Sequence, residues 1–469
     1  MKRALAAAMS TLALGACVLG PDHRDPRPDA PAQARFASGH SPAFTGDEPP
    51  GRWWSLFDDP LLDRLVEQAL VQNTDLRVAA ANLRRARAVL RETRSGLFPT
   101  ADFSASATYS RQSGDQLGFV GAGAEGDSYD VGMDASYQLD LFGRIRRAIE
   151  ASRADVGAAQ AAFDVSRITV AAETARAYVD ACGAGRQLAV ARETLRIQER
   201  TFDLTRRLLE GGRATALETS QAGSLLEQVR ATVPTLEAQR QTALFRLSVL
   251  TGRPPTEFPP EVAACEMPPA LARPIPAGDG ASLLSRRPDV RQAERELAAA
   301  TARVGVATAS LYPTITLGGS IGSSATSLSG VGSSESFRFS LGPLISWSFT
   351  NLAVGRARIA QAEASAEGAL ANFEGTWLRA LEETESALTR YARELDRLAA
   401  LRRALAQSAE AARIARLRYQ AGREPFQVVL DTERALAQTD AAVAQSEAVL
   451  SDNLVSLFFA LGGGWQEPT

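Results

Sequence analysis

Histidine is almost missing from this chain: His23 and His40 are the two present in 469 residues, and both fall in a Pro-rich N-terminal stretch. That leaves little for imidazole-based catalysis or metal binding, so no metal ligand is expected. Cysteine is nearly as scarce, with three residues, too few to staple a chain of this size. Cys182, inside a helical stretch, and Cys265, in a Pro-rich loop, are expected as free thiols. An excess of one charge is missing too: 51 Lys and Arg against 54 Asp and Glu give a net charge of -3, which implies no polyanion and no nucleic acid as partner. There is no phosphate loop either, because Gly462-Gly463-Gly464 is followed by Trp465 and the chain end rather than by a helix carrying Lys and Ser. With no nucleophile, metal site or phosphate loop, neither an enzyme nor a cofactor is expected.

The first residues carry positive information. Lys2 and Arg3 precede an apolar run from Ala4 to Ala16, the layout of a secretory signal, too short to serve as a stable membrane span. The run ends in Leu14-Gly15-Ala16-Cys17, which resembles the bacterial lipobox, so Cys17 is expected to be the lipidated first residue of the mature chain. Residues 1–16 then form the signal peptide and 17–59 a lipid-anchored extended segment.

The rest is written twice. NTDLRVAAANLRRARAVLRETRSGLFPT, ending at Thr100, aligns without a gap on RPDVRQAERELAAATARVGVATASLYPT, ending at Thr314, at a constant offset of 214 (314 minus 100). Gly143-Arg144 recurs as Gly355-Arg356, and Gly212-Arg213 as Gly422-Arg423. The two repeats cover 60–251 and 281–462, with a Pro-rich linker at 252–280 and a tail at 463–469. In each repeat a helix of about 35 residues leads to a Pro, a strand, a Gly/Ser-rich loop and a second strand. A very long helix, a Gly-marked turn and a further long helix follow. The expected strands are 99–111 and 128–142, then 313–323 and 336–349. The expected long helices are 144–210 with 214–251, and 355–420 with 425–462. The segments 144–210 and 355–420 contain no Pro and are rich in Ala, Arg, Glu and Leu, all good helix formers. A helix over 144–210 would be a rod of roughly 100 Å, far longer than a globular domain needs.

All four strands alternate. Ala101, Phe103, Ala105, Ala107 and Tyr109 oppose Asp102, Ser104, Ser106 and Thr108; Tyr129, Val131, Met133, Ala135, Tyr137 and Leu139 oppose Asp130, Gly132, Asp134, Ser136 and Gln138. In the second repeat Ile315, Leu317 and Ile321 oppose Thr316, Gly318 and Ser320, while Phe337, Phe339, Leu341, Ile345, Trp347 and Phe349 oppose Arg338, Ser340, Ser346 and Ser348, with Leu344 the mismatch. One such strand could lie on a soluble core. Four of them, each about 10 to 13 residues long with aromatics on or beside the apolar face, fit the signature of bilayer-crossing strands. Hydrocarbon tolerates no open sheet edge, and about eight strands is the smallest usual barrel, so several copies must pool their strands. Two, three or four copies would each close.

Taken together, these pieces resemble the TolC-like outer-membrane efflux channels, in the lipoprotein branch that serves resistance-nodulation-division pumps. The resemblance is carried by CVLGPDHRDP at 17–26, WWSLFDDPLLDRLVEQAL at 53–70, SGLFPT with its copy SLYPT, LDLFGRIRRA, RYQAGREPFQVVLDTERAL and the terminal ALGGGW. It implies a mainly α, internally duplicated TolC-like fold with a small membrane β-barrel: a homotrimer sharing a twelve-stranded barrel in outer-membrane lipid and a twelve-helix periplasmic tunnel. The channel would passively pass small molecules received from a periplasmic adaptor and an inner-membrane pump; the alternative is the outer-membrane conduit of a type I protein-secretion system. Val18, rather than Asp, after Cys17 implies delivery to the outer membrane. The family also closes its periplasmic end near the two helix turns. That places gate candidates at Tyr419, Arg423, Asp431 and Glu218, and adaptor contacts at Gly212, Arg213, Ala214, Thr215 and Gly422. Val428 stands where better-known members often carry an acid, which implies fewer rings of negative charge here.

Overall fold

The computed structural model describes residues 18–26, 34–111, 125–271 and 273–463, with all their side chains except that of Thr350. The signal segment, Cys17 and the Trp465 end of the tail lie outside the described residues. Helix α1 (Pro60–Gln72) opens with Pro at its first position, where no amide donor is needed, and with Asp59 as N-cap accepting from the Leu61 and Leu62 amides. Helix α2 (Thr74–Ser95) leads to strands β1 (Thr100–Arg111) and β2 (Glu125–Leu139), which precede the long α3 (Arg144–Glu210) and α4 (Ala216–Leu250). The second repeat gives α5 (Gly280–Arg286), α6 (Pro288–Ala309), β3 (Thr314–Ala325), β4 (Phe337–Ser346), α7 (Leu352–Gln420) and α8 (Phe426–Ala460).

The helix of about 35 residues expected at the start of each repeat is in fact two helices. Asn73 is extended (φ -59°, ψ 136°); its Oδ1 accepts from the Asp75 and Leu76 amides and its Nδ2 donates to the Leu250 carbonyl at 3.1 Å. Arg287 stands at the same place in the second repeat, 214 residues on (287 minus 73), and is also extended (φ -68°, ψ 119°). Pro288 follows it, and the residue before a proline is pushed out of the helical region. Arg287 is buried and satisfied: its guanidinium donates to Asp289, to Glu383 at 2.8 Å and to the Ala460 carbonyl at 3.0 Å.

The sheet has the order β1-β2-β3-β4, with every neighbouring pair antiparallel. The register carries the alternation of each strand across all four. Phe103 pairs with Met133, Met133 with Ile321 and Ile321 with Phe339; the adjacent row on the other face runs Asp102, Asp134, Ser320 and Ser340. Leu344, opposite Thr316, is the apolar exception on the polar face. Two strands end sooner than the sequence pattern suggests. After Leu139, Asp140 accepts from the Ile145 and Arg146 amides at 3.0 Å each and so caps α3, which takes Leu141 out of the strand. After Ser346, the Trp347 indole donates to the Leu311 carbonyl at 3.0 Å and Phe349 enters a short 3₁₀ turn, so neither ring belongs to β4.

The chain forms two compact units, and neither unit is a repeat. One takes the residues up to Pro26, Leu83–Ala159 and Ala293–Phe373, and contains the sheet; the other takes Arg27–Asn82, Gln160–Gln292 and Glu374–Thr469. The core of the second unit is aromatic: Trp53 stacks on Phe458 with ring centroids 5.0 Å apart, and Phe57, Leu62, Leu247, Leu283, Leu388 and Leu457 are buried around them. Tyr178 donates to Asp59 Oδ2 at 2.6 Å, which ties α3 to the cap of α1; burial, then this carboxylate, pushes its phenol far above its ordinary value. A file of alanines on α3, including Ala171, Ala175 and Ala181, is buried and lets neighbouring helices approach closely.

The expectation of free thiols fails here. Cys182 and Cys265 form a disulfide, with Cα atoms 4.9 Å apart. Gly185, one turn along α3 from Cys182, lets the linker backbone come this near: a Cβ there would sit 2.1 Å from the Cys265 carbonyl oxygen.

Candidate functional site

The sheet presents one face that no described residue covers. Phe103, Phe339 and Tyr109 are each at least 70 % exposed and Leu341 is 85 % exposed, all on the apolar side of their strands. So large an apolar area left open marks a surface meant for lipid or for another chain. The opposite face carries Asp102, Asp130, Asp134, Ser320 and Ser340; Ser320 and Ser340 are hydrogen-bonded at 2.7 Å. Within this chain β1 and β4 each have a partner on one side only, so both edges offer unpaired backbone groups. Among the described residues no helix is long and apolar enough to cross a membrane.

The second site is at the two helix turns. In both, the helix ends in a Schellman motif with glycine in the left-handed region. Gly212 and Gly422 have φ +67°, and the amides of Arg213 and Arg423 reach back to the Leu208 and Arg418 carbonyls at 2.7 and 2.9 Å. The chain restarts differently in each turn. Thr215 and Glu218 form a capping box, in which the Glu218 carboxylate accepts from the Thr215 amide at 2.7 Å, whereas Pro425 opens α8 with no side-chain cap. The Tyr419 ring packs on Phe426 with centroids 5.3 Å apart, and Val428 joins Tyr419 at the rim of the apolar cluster formed by Ala222, Leu225, Ala415, Phe426, Val429 and Leu430. The Tyr419 phenol is raised, mainly by burial and then by the Glu218 carboxylate, with Arg213 opposing; the two turns therefore adjoin. Asp431 is exposed and accepts from Gln427 at 3.2 Å and Arg434 at 3.4 Å. Arg423, Arg213 and Thr215 are exposed and Ala214 is half-buried.

A further acid on α8, Glu433, is buried and goes unnoticed in the sequence. It is 5 % exposed, accepts from Thr201 Oγ1 at 3.2 Å and from Gln198 Nε2 at 3.5 Å, and burial raises its carboxyl against the opposing effects of Thr201, Arg416 and Gln198. A signal was available: Phe426, Val429, Leu430 and Glu433 follow the i, i+3, i+4, i+7 spacing of a buried stripe, so this acid occupies a core position. Asp180 was missed too. It lines a groove of about 1070 Å³ with Glu173, Arg176, Arg246 and Asp452, and burial, with Asp452 adding to it, raises its carboxyl to about 6. Among the described residues one group could hold a metal ion, His23 with Asp25 and Glu294.

An uncovered apolar strand face, a polar face behind it and helices of 67 and 69 residues define an outer-membrane channel rather than a soluble sheet protein. The chain belongs to the outer membrane efflux protein family, which it matches over residues 65–253 and 281–463. It is an outer-membrane efflux channel. Outer membrane protein OprJ of Pseudomonas aeruginosa is 33% identical over 471 residues, covering 99% of this chain and 96% of that protein. Nodulation protein T of Rhizobium leguminosarum bv. viciae is 30% identical over 468 residues, covering 99% and 94%. Among solved structures, the outer-membrane channel OprN superposes with a TM-score of 0.90 at 39% identity, covering 96% of this chain and all of that one.

Proposed function

We propose that three copies of this chain close one twelve-stranded barrel in the outer membrane and continue it as a helical tunnel into the periplasm. The observation that carries this is the four-stranded sheet with both edges unpaired and its apolar face uncovered. Such a sheet is stable in hydrocarbon only if β4 of one copy pairs with β1 of the next until the ring closes. The face bearing Asp102, Asp130, Asp134 and Ser320 then lines a water-filled lumen. The duct passes small molecules delivered by a periplasmic adaptor from an inner-membrane resistance-nodulation-division pump, which supplies the energy. Gly212, Arg213, Ala214, Thr215 and Gly422 meet the adaptor, since they form the turn ends, where all but Ala214 are exposed. Tyr419, Arg423, Asp431 and Glu218 narrow the periplasmic end. Cys17 carries the lipid that anchors the mature chain.

The test combines mass and conductance. Detergent-solubilised protein should have the mass of three chains and form channels in a planar bilayer, and Asp431→Ala should raise the single-channel conductance by removing three charges from one ring. A monomeric mass, or no channels from intact protein, overturns the assembly; unchanged conductance removes Asp431 from the gate.

A further inference from the structure

We propose that His23, Asp25 and Glu294 form a binding site for a divalent transition-metal cation of the zinc type. His23 Nε2 lies 3.2 Å from Glu294 Oε1 and 3.3 Å from Asp25 Oδ1, and the three donor atoms are all within 4.8 Å of one another. A neutral imidazole has at most one hydrogen on that nitrogen, so it can satisfy one of the two carboxylates and leaves the other facing like charge. A cation at the shared focus satisfies both. Metal–ligand bonds of about 2.0–2.1 Å in a tetrahedron place ligand atoms about 3.3 Å apart, which is the separation found for both nitrogen–oxygen pairs.

The surroundings favour such a site. His23 and Glu294 side chains are 14% and 16% exposed, while Asp25 is 80% exposed, so two ligands are fixed and the third side remains open to water. The second oxygen of Glu294 lies 3.1 Å from Arg295 Nε, an ion pair that balances part of the negative charge at the site. The segment carrying His23 is already held: Arg147, itself buried, donates to the Leu19 and Gly20 carbonyls at 3.0 and 3.2 Å and to Asp22 at 2.7 Å. Gly20 packs so closely on α6 that a Cβ would lie 2.4 Å from the Gly305 Cα. One imidazole with two carboxylates suits zinc better than calcium or magnesium, which prefer all-oxygen shells. The cation would act as a clasp between the start of the mature chain and α6, both in the sheet-bearing unit.

The test uses the full chain without a polyhistidine tag, in detergent and stripped with a chelator, titrated with Zn²⁺ alone. Expected are saturable binding of about one zinc per chain and a higher unfolding temperature with zinc than without. His23→Ala and Glu294→Gln should each weaken binding at least about tenfold, and His40→Ala not at all. Cobalt(II) absorption bands present in the wild-type chain should vanish in His23→Ala while its far-UV circular dichroism stays unchanged, which separates loss of the ligand from loss of the fold. No saturable zinc binding by the wild-type chain, equal binding by His23→Ala, or calcium binding as tight as zinc overturns the proposal.

Discussion

Replacing Cys182 and Cys265 together by Ala removes the cross-link without leaving a lone buried thiol. The two residues are 83 apart in sequence, and both belong to the unit that holds the aromatic core. In the chain-entropy account a closure of that length restricts the unfolded chain by about 4.5 kcal/mol at 25 °C; measured disulfides typically contribute about 2–4 kcal/mol. The substitution itself costs little, since Ala fits the file of buried alanines around Cys182. We therefore expect an apparent unfolding midpoint lower by about 2–4 °C, compared at one scan rate because membrane proteins of this size unfold irreversibly. Reductant should lower the wild-type midpoint in the same way and leave the double variant unchanged. A thiol count on the denatured chain accompanies the scan. If Cys17 carries the lipid, maleimide should find no thiol before reduction and two after it, and Cys17→Ser should lose the acyl mass. Two thiols labelled before reduction, or identical midpoints for variant and wild type, would refute the cross-link.

Glu433→Gln tests the buried acid on α8. Its carboxyl is raised in the fold, so its stabilising contribution is present below the unfolded value of about 4.5 and is lost as pH rises through the higher folded value. The variant should be flat across that window, with an unfolding midpoint at neutral pH equal to or above wild type; a lower midpoint at neutral pH would show that the charged form is the stabilising one, and a wild-type pH slope in the variant would show that the dependence comes from another group. Leu341→Arg places a charge on the uncovered apolar face and should cost about 2–4 kcal/mol in the membrane, seen as loss of the heat-stable assembly, whereas Ser340→Arg on the opposite face should be tolerated. Equal effects from the two would mean that the faces are assigned the wrong way round.

The sequence by itself determined what depends on short-range period and on self-similarity. Alternation at period two fixed which side of each strand is apolar, because successive side chains must point to opposite faces. It overran the strand ends at Leu141, Trp347 and Phe349, because the Asp140 cap and the Trp347 bond to Leu311 are choices of local hydrogen bonding that an alternating pattern does not register. The duplication made one half predict the other, and the strand count demanded partners. For the gate, the glycine turns could be read because only a left-handed residue closes a Schellman motif, yet the use of Glu218 as a cap could not be told from a free ring of charge. What only the tertiary structure decided are contacts between segments far apart in the chain. Asn73 breaks a helix by bonding to Leu250, 177 residues away; Cys182 meets Cys265; Glu433 finds Thr201; and His23, set aside for scarcity, stands beside Glu294, 271 residues on. Periodicity reports the conformation of one segment, whereas a pair of distant side chains meets only after each segment has been placed by its own core.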